Sequence, residues 1–179
     1  MAKAQEKRWC FLDRDGVVVE DIRPWKTGNM VILPGVVLGL RRLENLGFQF
    51  IITTNQAGIA KNYYTERDAK RFNNELIRQL AEEKIVIKKI YICPHYPDIT
   101  GDCNCRKPKI GLAERAAKDF GIDLKESYFV GDKDSDTEFG KNCGGKTFRI
   151  KSEYPKTVKA DYEASDLIGV AEILENALD

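Results

Sequence analysis

Two groups of residues in this chain could do chemistry. The first begins at Asp13-Arg-Asp15-Gly16, two carboxylates that follow directly on the apolar run Trp9-Cys-Phe-Leu12. Asp and Gly are common turn formers, and an Asx turn alone would account for them. A second acidic cluster, Gly131-Asp132-Lys133-Asp134-Ser135-Asp136, follows Val130 in the same way. Magnesium takes hard oxygen ligands, few of them from protein and the rest from water and substrate phosphate, so two acidic strand ends brought together would suit it. The second group is Cys93-Pro-His95 with Cys103-Asn-Cys105, four soft or borderline donors within thirteen residues. They suffice for a closed tetrahedral zinc site, whose role would be structural because no ligand position stays open. The alternative is a set of unrelated buried thiols. The loop around the donors holds Pro94, Pro97, Asp98 and Gly101, where little core can form. Cys10, in a strand, and Cys143, near a helix end, read as inert core thiols.

Composition narrows the chemistry. His95 is the only histidine, and its setting among cysteines marks it as a ligand. Ser-His-Asp, Cys-His and phosphohistidine mechanisms are therefore disfavoured. The 29 basic and 28 acidic side chains nearly cancel, which argues against a nucleic acid or an anionic membrane as partner. The charged start, Met1 to Arg8, lacks the apolar segment of a secretory signal, and no stretch reaches membrane-spanning length. With cysteines grouped for a metal rather than for disulfides, the expected location is the cytoplasm. A length of 179 residues with 42% apolar content predicts one domain, 1–179, carrying a zinc-binding loop at 93–107. A monomer is expected.

The elements that would position these groups alternate. Strands are predicted at 9–12, 48–53, 85–92, 127–130 and 147–150. Helices are predicted at 34–47, after a capping sequence Thr65-Glu-Arg-Asp68, at 112–120 closed by Gly121, over 134–139, and from a Ser165 cap through Ala177. Such alternation implies right-handed crossovers and an α/β, Rossmann-like, mostly parallel sheet with helices on both faces. Ligands then gather beyond the carboxyl ends of the strands. Asp13 and Asp15, Thr54 and Asn55, Lys107 and Asp132 all follow strands in this reading, so four strand ends offer polar groups to one rim. Arg106 and Lys107 directly succeed Cys105, the last of the four donors, so a bound metal would aim both cations at a phosphate.

Gly140-Lys-Asn-Cys-Gly-Gly-Lys-Thr147 satisfies the phosphate-loop pattern of nucleotide-binding proteins. That motif needs a strand before it and a helix after it, and here the predicted order is reversed. A catalytically silent, zinc-stabilised binding module is the other competitor. It would be expected to lack one of Asp13, Asp15, Lys107 or Asp132, and all four are present.

Taken together, Phe11-Leu-Asp-Arg-Asp-Gly16, Thr54-Asn-Gln56, Arg106-Lys-Pro108 and Gly131-Asp-Lys133 resemble, in order, the four motifs of the haloacid dehalogenase-like phosphatases. The resemblance implies a phosphoaspartyl mechanism, with Asp13 attacking phosphorus while Asp15 protonates the leaving oxygen and later activates water. It implies magnesium held by Asp13, the backbone carbonyl of Asp15 and Asp132, with Asp136 behind them. Thr54, Asn55, Lys107 and Lys133 would bind phosphate. Cys-Pro-His and Cys-x-Cys-Arg-Lys-Pro narrow the resemblance to the heptose bisphosphate 7-phosphatases and the related histidinol-phosphate phosphatases. Thr54-Asn-Gln-Ala-Gly-Ile-Ala-Lys61 with Tyr64-Thr65-Glu66 looks more like the former, whose substrate is a small phosphorylated sugar. Asp21 matches that group's sugar-contacting acid and Arg106 its recognition arginine. Val17 stands where a threonine is usual, and Ile22-Arg23-Pro24-Trp25 replaces a Gly-Tyr-Val run. No insertion is long enough for a large cap domain.

Overall fold

In the computed structural model residues 8–21 and 30–178 are described. Six strands form one sheet: β1 (Arg8–Leu12), β2 (Phe48–Asn55), β3 (Ile87–Cys93), β4 (Tyr128–Gly131), β5 (Lys146–Ile150) and β6 (Tyr162–Ala164). Their order is β3-β2-β1-β4-β5-β6, and every pairing is parallel. The chain builds outward from β1 to β3, then crosses back to β4 on the other side of β1. The strand order therefore reverses between β1 and β4, the place where an open α/β sheet forms its ligand crevice.

Both faces are covered, as parallel strands require. Alternate residues of one strand enter different cores: Cys10 and Leu12 of β1 join Phe50 and Ile52 of β2 in the larger one, while Trp9 and Phe11 join Ile51 in the smaller. The larger core is closed by helices α1 (Val36–Asn45), α3 (Glu66–Glu82) and α7 (Leu167–Leu178), which contribute Leu40, Leu76 and Leu174 among others. The smaller is closed by α5 (Gly111–Phe120) and α6 (Asp134–Cys143), through Leu112, Ala116 and Phe139. Two single-turn helices, α2 (Ala57–Ala60) and α4 (Pro97–Thr100), complete the set.

The local signals behave as their chemistry dictates. Thr65 Oγ1 accepts the Asp68 amide at 3.1 Å and Asp68 Oδ2 accepts the Thr65 amide at 3.0 Å, a complete capping box for α3. Gly121 ends α5 in the left-handed region at φ 66°. The start of α7 differs from expectation. Asp166, not Ser165, sits directly before the first helical residue, and its Oδ1 accepts the Gly169 amide at 3.0 Å. Strand β6 was not foreseen because Tyr-Glu-Ala is too short and too exposed to leave a periodic pattern. Around the phosphate-loop lookalike, α6 ends at Cys143, Gly144 turns at φ 79° and β5 begins at Lys146, so no helix faces a phosphate there. Among the described residues no helix is long and apolar enough to cross a membrane. The segment Ile22 to Trp25 lies outside the described residues.

Candidate active site and zinc loop

Leu12 pairs in register with Val130, so Asp13 and the Gly131-Asp132 pair leave the sheet side by side. The Asp13 amide donates to Val130 O at 2.9 Å. Only glycine permits the approach of the loop after Asp15. Gly16 has φ +88°, and a Cβ there would lie 2.4 Å from Asp132 Oδ2.

Asp13, Asp132 and Asp136 are buried, with carboxylate oxygens within 4.8 Å of one another. Like charges this close and this dry need compensation. Lys107, itself buried, supplies part of it: Nζ lies 2.8 Å from Asp13 Oδ1 and 2.7 Å from Asp136 Oδ1, and donates to Thr53 O at 2.7 Å. Three partners occupy all three ammonium protons. Burial works against the Lys107 charge, but Asp13 and Asp136 outweigh it and hold the lysine above its ordinary range. Lys107, expected as a donor to phosphate oxygens, here holds the two carboxylates and a carbonyl and lines the cleft where a phosphate would enter.

Asp132 has no such partner. Its Oδ1 is buried and accepts no hydrogen bond among the described residues, with Lys133 Nζ standing 3.6 Å off. Burial first, and then the charge of Asp13, push its carboxyl up to about 7 against the pull of Lys133. A dry carboxylate with an unused oxygen facing a second carboxylate suits a hard divalent cation. The donor chemistry therefore fits magnesium.

Asp15 lies at the cleft wall. Arg14 grips its carboxylate, with Nη2 at 3.0 Å from both oxygens. Gln56 Nε2 donates to Asp15 Oδ2 at 2.7 Å, and Thr54 Oγ1 does so at 3.4 Å. Asn55, which also lines the cleft, clamps the backbone of Lys107 with its amide: Oδ1 accepts from Lys107 N at 3.0 Å and Nδ2 donates to Lys107 O at 3.1 Å. Lys133 Nζ donates to Asp21 Oδ2 at 3.3 Å and rests 4.5 Å above the Tyr154 ring. Burial lowers Lys133, yet Asp13, Asp132, Asp21 and Asp136 together carry it above the usual lysine range.

Asp13, Asp15, Thr54, Gln56, Lys107 and Lys133 line an open cleft of about 430 Å³, a volume suited to a small metabolite. Its lining also carries two further cations. Lys61 Nζ lies 4.1 Å from the centre of the Tyr96 ring and Arg106 Cζ 5.6 Å, and all three side chains border the cleft.

The cysteine loop closes on itself. Cys103 Sγ is 3.8 Å from the sulfurs of both Cys93 and Cys105, and His95 Nδ1 is 3.6 Å from Cys93 Sγ and 3.2 Å from Cys105 Sγ. A tetrahedral zinc with Zn–S bonds of about 2.3 Å holds its sulfurs about 3.8 Å apart, so the four donors fit zinc. Cys10 and Cys143 stand elsewhere in the core, and burial pushes the Cys143 thiol up to about 12.

The family model of the polynucleotide kinase 3 phosphatases matches residues 12–174. A D-glycero-alpha-D-manno-heptose-1,7-bisphosphate 7-phosphatase of Photorhabdus laumondii is 35% identical over 93% of this chain and 96% of its own length. The chain belongs to the haloacid dehalogenase-like phosphatases. Within that family, the crystal structure of D,D-heptose 1,7-bisphosphate phosphatase from B. bronchiseptica, complexed with magnesium and phosphate, superposes with a TM-score of 0.82. It is 27% identical, with 95% of this chain and 99% of that one covered. The bifunctional histidine-biosynthesis protein HisB of Legionella pneumophila is 35% identical over 77% of this chain, but over only 40% of its own length.

Several residues of this phosphatase's site carried no assignment from sequence. Gln56 stood inside a recognised motif without a role. Arg14, between two aspartates, looks in sequence like any solvated turn cation. Tyr96 borders the cleft, while Asn73 and Tyr154 stand behind it on Arg14 and Asp21, and only the folded chain brings these residues together.

Proposed function

We propose that this phosphatase removes the 7-phosphate of D-glycero-D-manno-heptose 1,7-bisphosphate through an aspartyl phosphate on Asp13, acting as a single phosphatase domain. Asp13 is fixed for in-line attack by Lys107, which holds one carboxylate oxygen. As the new P–O bond forms, the ester P–O bond breaks and Asp15 gives its proton to the leaving oxygen. Asp15 then takes a proton from the water that cleaves the aspartyl phosphate, releasing inorganic phosphate and restoring Asp13. Asp13, Asp132 and the backbone carbonyl of Asp15 would hold magnesium, which when bound neutralises phosphate charge and polarises its oxygens. In this reading the Thr54 hydroxyl turns from Asp15 to donate to a phosphoryl oxygen, and Lys133 adds a positive charge to the phosphate site.

The observation that carries the substrate is the near full-length match to a heptose bisphosphate phosphatase together with the two further cations of the cleft. Lys61 and Arg106 both lie against Tyr96 in the cleft that also holds Asp13 and Lys133, and a sugar with two phosphates would use such additional cations. Histidinol phosphate is the second reading, favoured by the partial match to the histidine-biosynthesis protein. Comparison of kcat/KM among the heptose 1,7-bisphosphate, the heptose 7-monophosphate and histidinol phosphate tests the assignment. The bisphosphate should lead the monophosphate by about tenfold or more, a difference of about 1.4 kcal/mol in transition-state binding. A lead for histidinol phosphate would replace the first reading by the second.

A further inference from the structure

Arg14 has no part in the steps above, yet it is the bulkiest fully buried side chain among the described residues, at 1% exposure. A guanidinium stays charged under any ordinary condition, so burying it demands fixed partners. It has them on two sides. Toward the cleft, Nε and Nη2 donate to Asp15 Oδ1 at 3.2 and 3.0 Å, and Nη2 also reaches Oδ2 at 3.0 Å. Toward α3, Nη1 donates to Asn73 Oδ1 at 2.8 Å, and the Phe72 ring lies 4.6 Å from Cζ. Asn73 is itself buried. Replacing a buried ion pair by apolar side chains is often neutral or stabilising, so stability alone does not call for this one. What a planar fork adds is orientation.

The geometry points to Arg14 as a positioning residue for Asp15, with Asn73 anchoring the guanidinium to α3 so that the helix sets the plane of the carboxyl group. The inference rests on the acid/base role given to Asp15 above. Gln56 completes the hold from the opposite side: its Nε2 donates to Asp15 Oδ2 at 2.7 Å, while its Oε1 accepts from Tyr64 Oη at 2.5 Å.

Leaving-group chemistry separates positioning from mere support. When the ester P–O bond breaks, its electron pair goes to the leaving oxygen. A sugar alkoxide needs the Asp15 proton at that moment, and 4-nitrophenolate does not. Because kcat/KM covers only the steps through leaving-group departure, the later hydrolysis does not blur the comparison. With Arg14→Met, kcat/KM for the heptose bisphosphate should fall on the order of 10²-fold, and that for 4-nitrophenyl phosphate by less than about tenfold. Asn73→Ala should shift the same ratio in the same direction by a smaller factor. It decides the matter if Arg14→Met fails to fold. Equal losses on both esters, or no loss on either, would overturn the inference. A wild-type protein inert to both esters would instead sink the proposed function, and this inference with it.

Discussion

Asp132→Asn should make the magnesium-free protein more stable while destroying its activity. The carboxyl of Asp132 is buried and pushed from the ordinary 3.8 up to about 7, by burial first and by Asp13 next. At about 1.36 kcal/mol for each pH unit between those values, an ionised Asp132 costs the magnesium-free fold on the order of 4 kcal/mol. The sign follows from proton binding. The folded carboxyl holds its proton more tightly than the unfolded one, so the cost is absent below about pH 4, grows between 4 and 7, and is fully present above 7. Asparagine keeps the shape without the charge, so the variant should gain that amount at pH 8 and nothing at pH 4. For a chain of this length each kcal/mol moves the melting temperature by about 2–4 °C. The assay is thermal melting of zinc-loaded wild type and variant at pH 4, 6 and 8 in magnesium-free buffer, followed by a magnesium titration. Added magnesium should raise the wild-type melting temperature and leave the variant where it is. A variant equal to or less stable than wild type at pH 8 would refute the idea that the acidic seat is held under electrostatic strain for a cation.

Asp13→Asn should lower turnover by about 10⁴-fold or more with an unchanged far-ultraviolet circular dichroism spectrum, as removal of a nucleophile does; retained activity would exclude Asp13 from that role. Cys105→Ser should release zinc to a colorimetric chelator, lower the melting temperature and loosen 93–107 toward proteolysis, because metal binding there contributes directly to folding. An unchanged melting curve after verified metal loss would count against a structural site. Thr65→Ala removes the capping box of α3 and should cost about 1 kcal/mol in urea unfolding, with kcat/KM altered less than about twofold; a null effect on stability would show the box to be idle.

The parts legible in sequence share a property: their signal is local. A buried strand leaves an apolar run, so β1, β2, β4 and β5 could be placed to within a residue or two. Capping at Thr65 and termination at Gly121 depend on residues a few positions apart, and both were readable. The four zinc donors lie within thirteen residues, and the cluster could be named outright. What could not be read depends on distance along the chain. Arg14 meets Asn73 across 59 positions and Lys107 meets Asp13 across 94. Nothing at position 107 says that its ammonium will reach two carboxylates distant in sequence. Likewise only the folded chain reveals that the Asn55 amide holds the backbone of Lys107 at both ends.

That register also explains why a metal loop sits where it does. Strand β2 runs on to Asn55, which pairs with Cys93, the last residue of β3 and the first zinc donor. The chain then leaves the sheet for eleven residues before Cys105, and Arg106 Nη1 returns to His95 O at 3.2 Å. Two residues beyond Cys105, the backbone of Lys107 is caught at both ends by the Asn55 side chain, and its ammonium reaches Asp13. Each link is short and directional, so any slack in the loop would be passed to the nucleophile. A segment rich in proline, glycine and aspartate offers little apolar surface with which to remove that slack. Ligand bonds supply fixed geometry where packing is absent. A metal-free loop should therefore reduce kcat through Lys107 even when the sheet remains folded, and restoring zinc should return the rate without any change in the residues that touch substrate.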